Sequence, residues 1–287
     1  MYLEEQIKAA HSAAARLGVE LEVLNAEMDP VLQSQQLLGF VQSRDEKPEA
    51  ILVEPVSAVG LPRVAEAAVA AGIAWAVSNA QVDYISALRK KAKVPVFLIS
   101  QDHVEIGRIQ ARQIGALLPE GGGVLYLRGP QMSSIAQRRF EGIDGGKPKN
   151  VDLKSIKVQG SAAENATAAV CSWLNLSMGK PDATQLIVAQ NADFILGARK
   201  AFETNTNEAD RAKWLKILCL GAGLPVQMTP LVDKGVLRAA VLTSLTMDVA
   251  LDMLMRGLAQ KTQPREYTYV EAHSYPTIEE LAKKQRR

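Results

Sequence analysis

Short runs of consecutive apolar residues, each ending in polar or turn residues, alternate along the chain with stretches whose apolar positions recur every three or four residues. The runs are Val19–Asn25 (VELEVLN), Ala50–Glu54, Ile73–Asn79, Val94–Ser100, Val124–Arg128, Ser155–Gln159, Gln185–Ala189, Lys216–Leu220, Val236–Thr243 and Tyr267–Ala272. Most are continuous rather than alternating, which is the pattern of strands buried on both faces. The stretches between them read as helices. The first, Leu3–Leu17, places Ile7, Ala10, Ala14 and Leu17 on one face and stops at Gly18. Strand and helix in regular succession, joined by right-handed crossovers, predict an α/β fold with open parallel sheets covered by helices.

Helix starts agree with this registration. Asp102-x-x-Glu105, Ser161-x-x-Glu164 and Thr277-x-x-Glu280 each match a capping box, in which the first side chain accepts from an orphan backbone N–H and the glutamate reaches back. The charged stretches Ala87–Lys93 and Asn205–Lys213 read as solvated connections.

Composition narrows the function classes. The chain has 287 residues, about two domains' worth at roughly 150 residues each. With 47% hydrophobic and 22% charged residues it can bury a sizeable core, which excludes disorder and a disulfide-built miniature. Thirty-three Lys and Arg against 31 Asp and Glu leave +2, with no excess to attract a phosphate backbone. Three Trp, six Tyr and five Phe are too few for base-stacking platforms, so nucleic acid is not expected as a partner. No apolar run is long enough for a membrane-spanning helix, so membrane insertion is not expected either.

The candidate chemistry is sparse. Gly221-Ala222-Gly223 follows a strand, but Pro225 interrupts and Val226 stands where a dinucleotide fingerprint needs its third glycine, so no cofactor is expected there. It reads as a tight strand-to-helix turn, and Gly121–Gly123 reads as a loop. Asp102, His103 and Glu105 cluster two carboxylates and an imidazole, yet lack a fourth metal ligand at a usable spacing. Cys171 and Cys219 form neither a metal pair nor a framework of bridges and read as core packing. No nucleophile, base and orienting group assemble, so an enzyme is not expected. What stands out instead is a set of polar residues closing the apolar runs: Glu54, Asn79, Asn191 and Thr243. Open α/β sheets bind ligands at those strand ends.

Several segments together resemble a known family. VAQNADFILGARKAF (188–202) is similar to the strand-to-helix segment of ribose-type periplasmic binding proteins. ILVEPVSAVG (51–60), SQDHVEIGRIQARQI (100–114), SSIAQRRFEG (133–142), LGAGLP (220–225) and VDKGVLRAAV (232–241) follow in matching order. The resemblance covers essentially the whole chain and points to the periplasmic binding protein type 1 superfamily, which includes LacI-type effector domains. It implies two Rossmann-like domains with parallel sheets joined by a three-crossover hinge, residues 1–102 plus 244–272 forming one and 103–243 plus 273–287 the other. Ligand would favour the closed form.

The resemblance also implies site residues, with departures. The Asp-Arg pair of ribose-type sites falls on Asn79-Ala80, the second-domain arginine on Gln137 with Arg139 following, the late aspartate on Ala222 and the late glutamine on Thr243. Asn191 is retained, and Tyr2 aligns with an aromatic of the first helix. With Glu54 these make the expected ligand set: Tyr2, Glu54, Asn79, Gln137, Arg139, Asn191 and Thr243. Fewer charge-assisted hydrogen bonds should leave a neutral, amide-rich site for a sugar-like polyol or similar small polar solute. The expected role is solute capture for an ABC-type importer in the periplasm, the alternative being a ligand-sensing domain of a LacI-type regulator or signalling receptor. The family begins with a strand that this chain lacks. That strand would lie between VELEVLN and AILVE, so the protein is expected to extend upstream of Met1, with an export signal there.

Overall fold

The structure, a computed structural model, describes residues 2–44, 47–57, 60–131, 133–176 and 180–285. Its elements begin with helices α1 (Tyr2–Leu17) and α2 (Pro30–Gln42), strand β1 (Ala50–Val53), α3 (Pro62–Ala70), β2 (Ala74–Ser78), α4 (Ile85–Lys91) and β3 (Val96–Gln101). Next come α5 (His103–Leu117), β4 (Gly122–Arg128), α6 (Ser134–Gly146), β5 (Val151–Lys157), α7 (Ala163–Asn175), β6 (Leu186–Ala189) and α8 (Ala192–Asn205). The chain continues through α9 (Glu208–Trp214), β7 (Leu218–Gly223), α10 (Pro225–Asp233), β8 (Ala239–Thr243), α11 (Met247–Gln260), β9 (Tyr267–Val270), β10 (Ala272–Tyr275) and α12 (Ile278–Gln285). They group into two units. One holds the chain up to Gln101 together with Leu245–Val270, the other Asp102–Ser244 together with the chain from Glu271 onward.

The first unit is built on a four-stranded parallel sheet in the order β1-β2-β3-β9. Successive residues of a strand face opposite sides, and the sequence uses both. Ile51, Val53, Trp75, Val77, Val96 and Leu98 form one face, packed with Leu37, Val64, Ala68, Ile85 and Leu88 of α2, α3 and α4. The intervening Ala74, Ala76, Phe97 and Ile99 meet Ala250 and Leu254 of α11. Alanines on this second face let α11 lie close to the strands. Helix α1 covers α11 through Ala10, Ala13 and Leu251, and Arg16 forks onto Asp252 with bonds of 3.0 and 2.9 Å.

The face α1 buries differs from the one its apolar residues mark. Ile7 is 40% exposed, whereas Gln6 is 1% exposed. Gln6 is buried because it caps another helix. Its Oε1 accepts from the backbone N–H of Thr246 (3.1 Å) and of Met247 (3.2 Å), at the start of α11. Thr246, the residue at the cap position, contributes no side-chain cap of its own. Gln6 Nε2 donates to Tyr2 Oη and to Thr246 Oγ1, at 2.7 and 2.8 Å. Gln6→Ala removes four bonds and leaves two helix-start donors without an acceptor, so we expect a loss of about 2 kcal/mol, measured as a lower denaturant midpoint at unchanged slope.

The second unit carries a six-stranded sheet, β10-β8-β7-β6-β4-β5, parallel except where β10 runs against β8. One face packs Leu125, Leu127, Ile187, Ala189 and Leu242 against α7 and α8, with Phe202 stacked on Trp214 at 4.6 Å. The other packs Val124, Tyr126, Val188 and Leu220 against Ala111, Ile114, Ile143 and Leu281 of α5, α6 and α12. Helices α5 and α6 meet backbone to backbone. A Cβ on Gly142 would stand 2.0 Å from the Val104 carbonyl oxygen, and one on Gly107 2.2 Å from that of Arg139.

Several elements differ from the sequence expectation. Val19–Asn25 forms no strand. Among the described residues β1 is an edge paired with β2 alone, and apolar alternation makes a strand only beside a hydrogen-bonded neighbour. Val23 and Leu24 are accordingly 41% and 44% exposed. β5 begins at Val151, ahead of the run expected at 155–159; as the edge of its sheet it mixes exposed and buried positions instead of running apolar. Gly122 and Gly123 belong to β4, and Gly221-Ala222-Gly223 to β7, so neither triplet is simply a turn. Helix α7 starts one residue later than the Ser161 box implies, with Asn165 Oδ1 accepting from Ala162 N at 3.3 Å. Most of the stretch 205–213 is taken up by α9, which runs on to Trp214 and is capped by Asn207. Tyr267–Ala272 is two strands: β9 runs beside β3, and one residue later β10 pairs with β8.

Candidate functional site

Polar groups gather at the carboxyl ends of the strands in each unit. In the first unit, Glu54 follows β1 and Asn79 follows β2. Asn79 has φ of 53°, a left-handed conformation that asparagine tolerates better than most residues. Its Nδ2 donates to Glu54 Oε1 at 3.2 Å. The opposite atoms of the pair, Glu54 Oε2 and Asn79 Oδ1, are buried and have no hydrogen-bond partner among the described residues. Burial holds the Glu54 carboxyl above the usual carboxylate range, and the Asn79 bond opposes that shift. The segment that presents Glu54 is clamped by Gln33 of α2, which donates to the Glu54 carbonyl (3.0 Å) and accepts from Val56 N (2.9 Å). Ala58 and Val59, in the 51–60 segment, lie outside the described residues.

Tyr2 stands at the end of β3, its Oη accepting from Gln101 Nε2 at 3.4 Å and from Gln6. Thr246 Oγ1 is 2.7 Å from Ser78 Oγ, which joins this group to the end of β2.

In the second unit Arg139 and His103 are the centre. Arg139 Nη1 donates to the Gln190 carbonyl at 2.6 Å and its Nε to His103 Nδ1 at 3.4 Å. Burial, followed by the charges of Arg139 and Arg138, pushes the His103 imidazole down to about 3, and its Nε2 is buried without a partner. Gln190, beyond β6, fixes this end of the sheet. It accepts from Gly129 N and donates to Tyr126 Oη and to the Ala136 carbonyl. Burial pushes Tyr126 up to about 12, so it stays a neutral phenol.

The structure therefore pairs Glu54 with Asn79 and places Arg139 on the carbonyl beside Asn191. The remaining expected residues hold local bonds or ladder positions. Asn191 is the cap of α8, its Oδ1 accepting from Phe194 N at 2.9 Å and its Nδ2 reaching the Ser161 carbonyl at 3.5 Å. Gln137 donates to the Gln131 carbonyl at 2.7 Å. Thr243 closes β8 opposite Ala272 and is 3% exposed. Gln6, Gln33, Ser78, Gln101, Gln190 and Thr246 were not anticipated, and His103 was weighed only as a metal ligand. A glutamine on the helical stripe of Ala10, Ala13 and Ala14 was the available signal for Gln6. No group of three or more metal-ligating side chains forms among the described residues, and no helix there is long and apolar enough to cross a membrane.

Solved structures of the same architecture exist. A galactofuranose-binding protein superposes with a TM-score of 0.76 at 19% identity, covering 98% of this chain and 93% of that one. An ABC transporter periplasmic solute-binding protein from Actinobacillus succinogenes, with bound D-allose, gives 0.77 at 19% identity, with coverage of 99% and 95%. The fructose-binding periplasmic domain of a hybrid two-component system gives 0.74 at 20% identity, with coverage of 99% and 90%. No curated protein matches the sequence. A family model for the periplasmic binding protein domain matches residues 1–260, nearly the whole chain. This chain belongs to the periplasmic binding protein domain family.

Proposed function

We propose that the protein binds a small sugar or polyol at the strand ends and delivers it, in the periplasm, to an ABC-type importer. The observation that carries this reading is the Glu54–Asn79 pair. Its two buried acceptor oxygens lack donors, and buried acceptors left unsatisfied are costly. A polyol supplies hydroxyl donors, whereas an apolar solute supplies none. Gln33 holds Glu54 in place before ligand arrives, which lowers the ordering cost of binding. Further support comes from similar folds that bind galactofuranose and D-allose. The resemblance to a fructose-binding receptor domain favours a second reading, a periplasmic sensor of the same class of solute.

A thermal-shift screen against pentoses, hexoses, inositols, amino acids and nucleosides tests the ligand class. A solute at 100 times its dissociation constant adds about 2.7 kcal/mol, a rise of several degrees at roughly 2–4 °C per kcal/mol. We expect that rise from a sugar or polyol. A rise only with amino acids or nucleosides, or with nothing, sinks the proposal. For the responding solute, Glu54→Gln and Asn79→Gly (glycine keeps the left-handed backbone) should each weaken binding about tenfold, the worth of one hydrogen bond of about 1.4 kcal/mol. Unchanged affinity in both would displace the site from this pair.

A further inference from the structure

A second cleft lies at the opposite, amino-terminal end of the second unit's sheet. It has a volume of about 250 Å³ and is lined by Arg199, Lys216, Cys219 and Arg238, with apolar walls that include Leu215, Leu237 and Pro276. Its charge is one-sided: the lining residues include three cations and no carboxylate. The nearby Asp233 is engaged elsewhere, accepting from Tyr275 Oη at 3.0 Å. The geometry of the strands fixes the cations. Arg238 N donates to the Cys219 carbonyl at 2.8 Å, which sets Arg238 beside Cys219 at the entry to β8. Arg199, on α8, reaches the Leu215 carbonyl only at 3.5 Å and lies against the Cys219 thiol. Burial pushes that thiol up to about 11, so it supplies no negative charge. Arg238 Nε is buried with no hydrogen-bond partner.

Two arginines and a lysine among the described lining residues, with no carboxylate among them, suit a tetrahedral oxyanion, which accepts bidentate and charge-assisted hydrogen bonds. The volume is below that of drug-sized ligand sites, so the occupant is small. We infer that this cleft is an anion site for a phosphoryl group, either inorganic phosphate or a small phosphomonoester. It is separate from the strand-end pair of Glu54 and Asn79.

Isothermal titration in chloride buffer of constant ionic strength tests the inference, with inorganic phosphate in one arm and glycerol 3-phosphate in the other. We expect saturable binding of at least one, weakened tenfold or more in Arg199→Gln/Arg238→Gln, since each bond lost is worth about 1.4 kcal/mol or more. Tighter binding of glycerol 3-phosphate identifies a phosphomonoester as the source, and equal or tighter binding of inorganic phosphate identifies the free ion. No saturable heat in either arm overturns the inference, as does equal affinity in the double variant. If the double variant does not fold, judged by circular dichroism, Arg238→Gln alone is read by the same criteria.

Discussion

Gly142→Ala is expected to destabilise the second unit by about 3 kcal/mol or more, at the upper end of the cost of overpacking a filled core. The reason is what the methyl group would meet. Val104 O, Val104 C and Arg108 N would lie 2.0, 2.9 and 3.1 Å from it, all of them backbone atoms of the facing helix. No rotamer change relieves such a clash, so α5 and α6 would have to separate along the contact that Gly107 makes from the other side. Gly145→Ala on the same helix is the control. Its Cβ would meet nothing within 4 Å, and alanine should stabilise the helix by about 0.5–1 kcal/mol. Thermal denaturation of both variants would show a lower midpoint for one and a higher midpoint for the other. Equal shifts would mean that the helices are not locked at Gly142.

The second large effect is a pH dependence centred on His103. Its imidazole titrates near 3 in the folded protein, against about 6.5 in an unfolded chain. Between those values the unfolded state binds a proton that the folded state refuses, so stability falls as pH falls. The slope approaches 1.4 kcal/mol per pH unit, and the loss from pH 6.5 to 4.5 comes to about 2–3 kcal/mol. Glu54 acts in the opposite sense. Its raised folded pKa gives stability below the unfolded carboxyl value that is lost as pH rises through the folded one. His103→Gln separates the two effects. Urea titrations at pH 7 and 4.5 should lose about 2–3 kcal/mol less between the two pH values in the variant than in the parent protein. Equal losses would show that His103 is free to take up a proton in the folded state.

Which parts of this fold were legible depended on whether local pattern or tertiary contact decided them. β2, β3, β6 and β8 are buried at every position, so their continuous apolar runs could hardly be anything else. VELEVLN has as good a strand pattern as any, but pattern cannot supply the neighbouring ladder, and β1 offers none that it uses. The edge strand β5 was half read because its exposed positions break up the apolar run. At the candidate site, Glu54 and Asn79 were visible as polar residues closing apolar runs. His103, Gln190 and Gln33 were not, because each matters through a group dozens of residues away in sequence, such as Arg139 for His103 and the 54–56 backbone for Gln33. Asn191 was read from its place in a motif, and the structure shows that it also caps α8 through Phe194 N, a role the motif alone does not give.

The first unit is discontinuous in sequence, and this has a consequence during synthesis. Ala74, Ala76, Phe97 and Ile99 have left the ribosome long before α11 and β9, which cover and pair with them, begin at Met247 and Tyr267. At roughly 5–20 residues per second the intervening stretch of about 150 residues takes on the order of 10–30 s to make. Throughout that interval half of the nascent sheet presents an uncovered apolar face, and Gln6 has no helix to cap. The second unit's long continuous segment is completed within the same interval. The segment translated first is thus the one that waits for its partners, and the N-terminal portion is where a holding chaperone has its longest opportunity to bind.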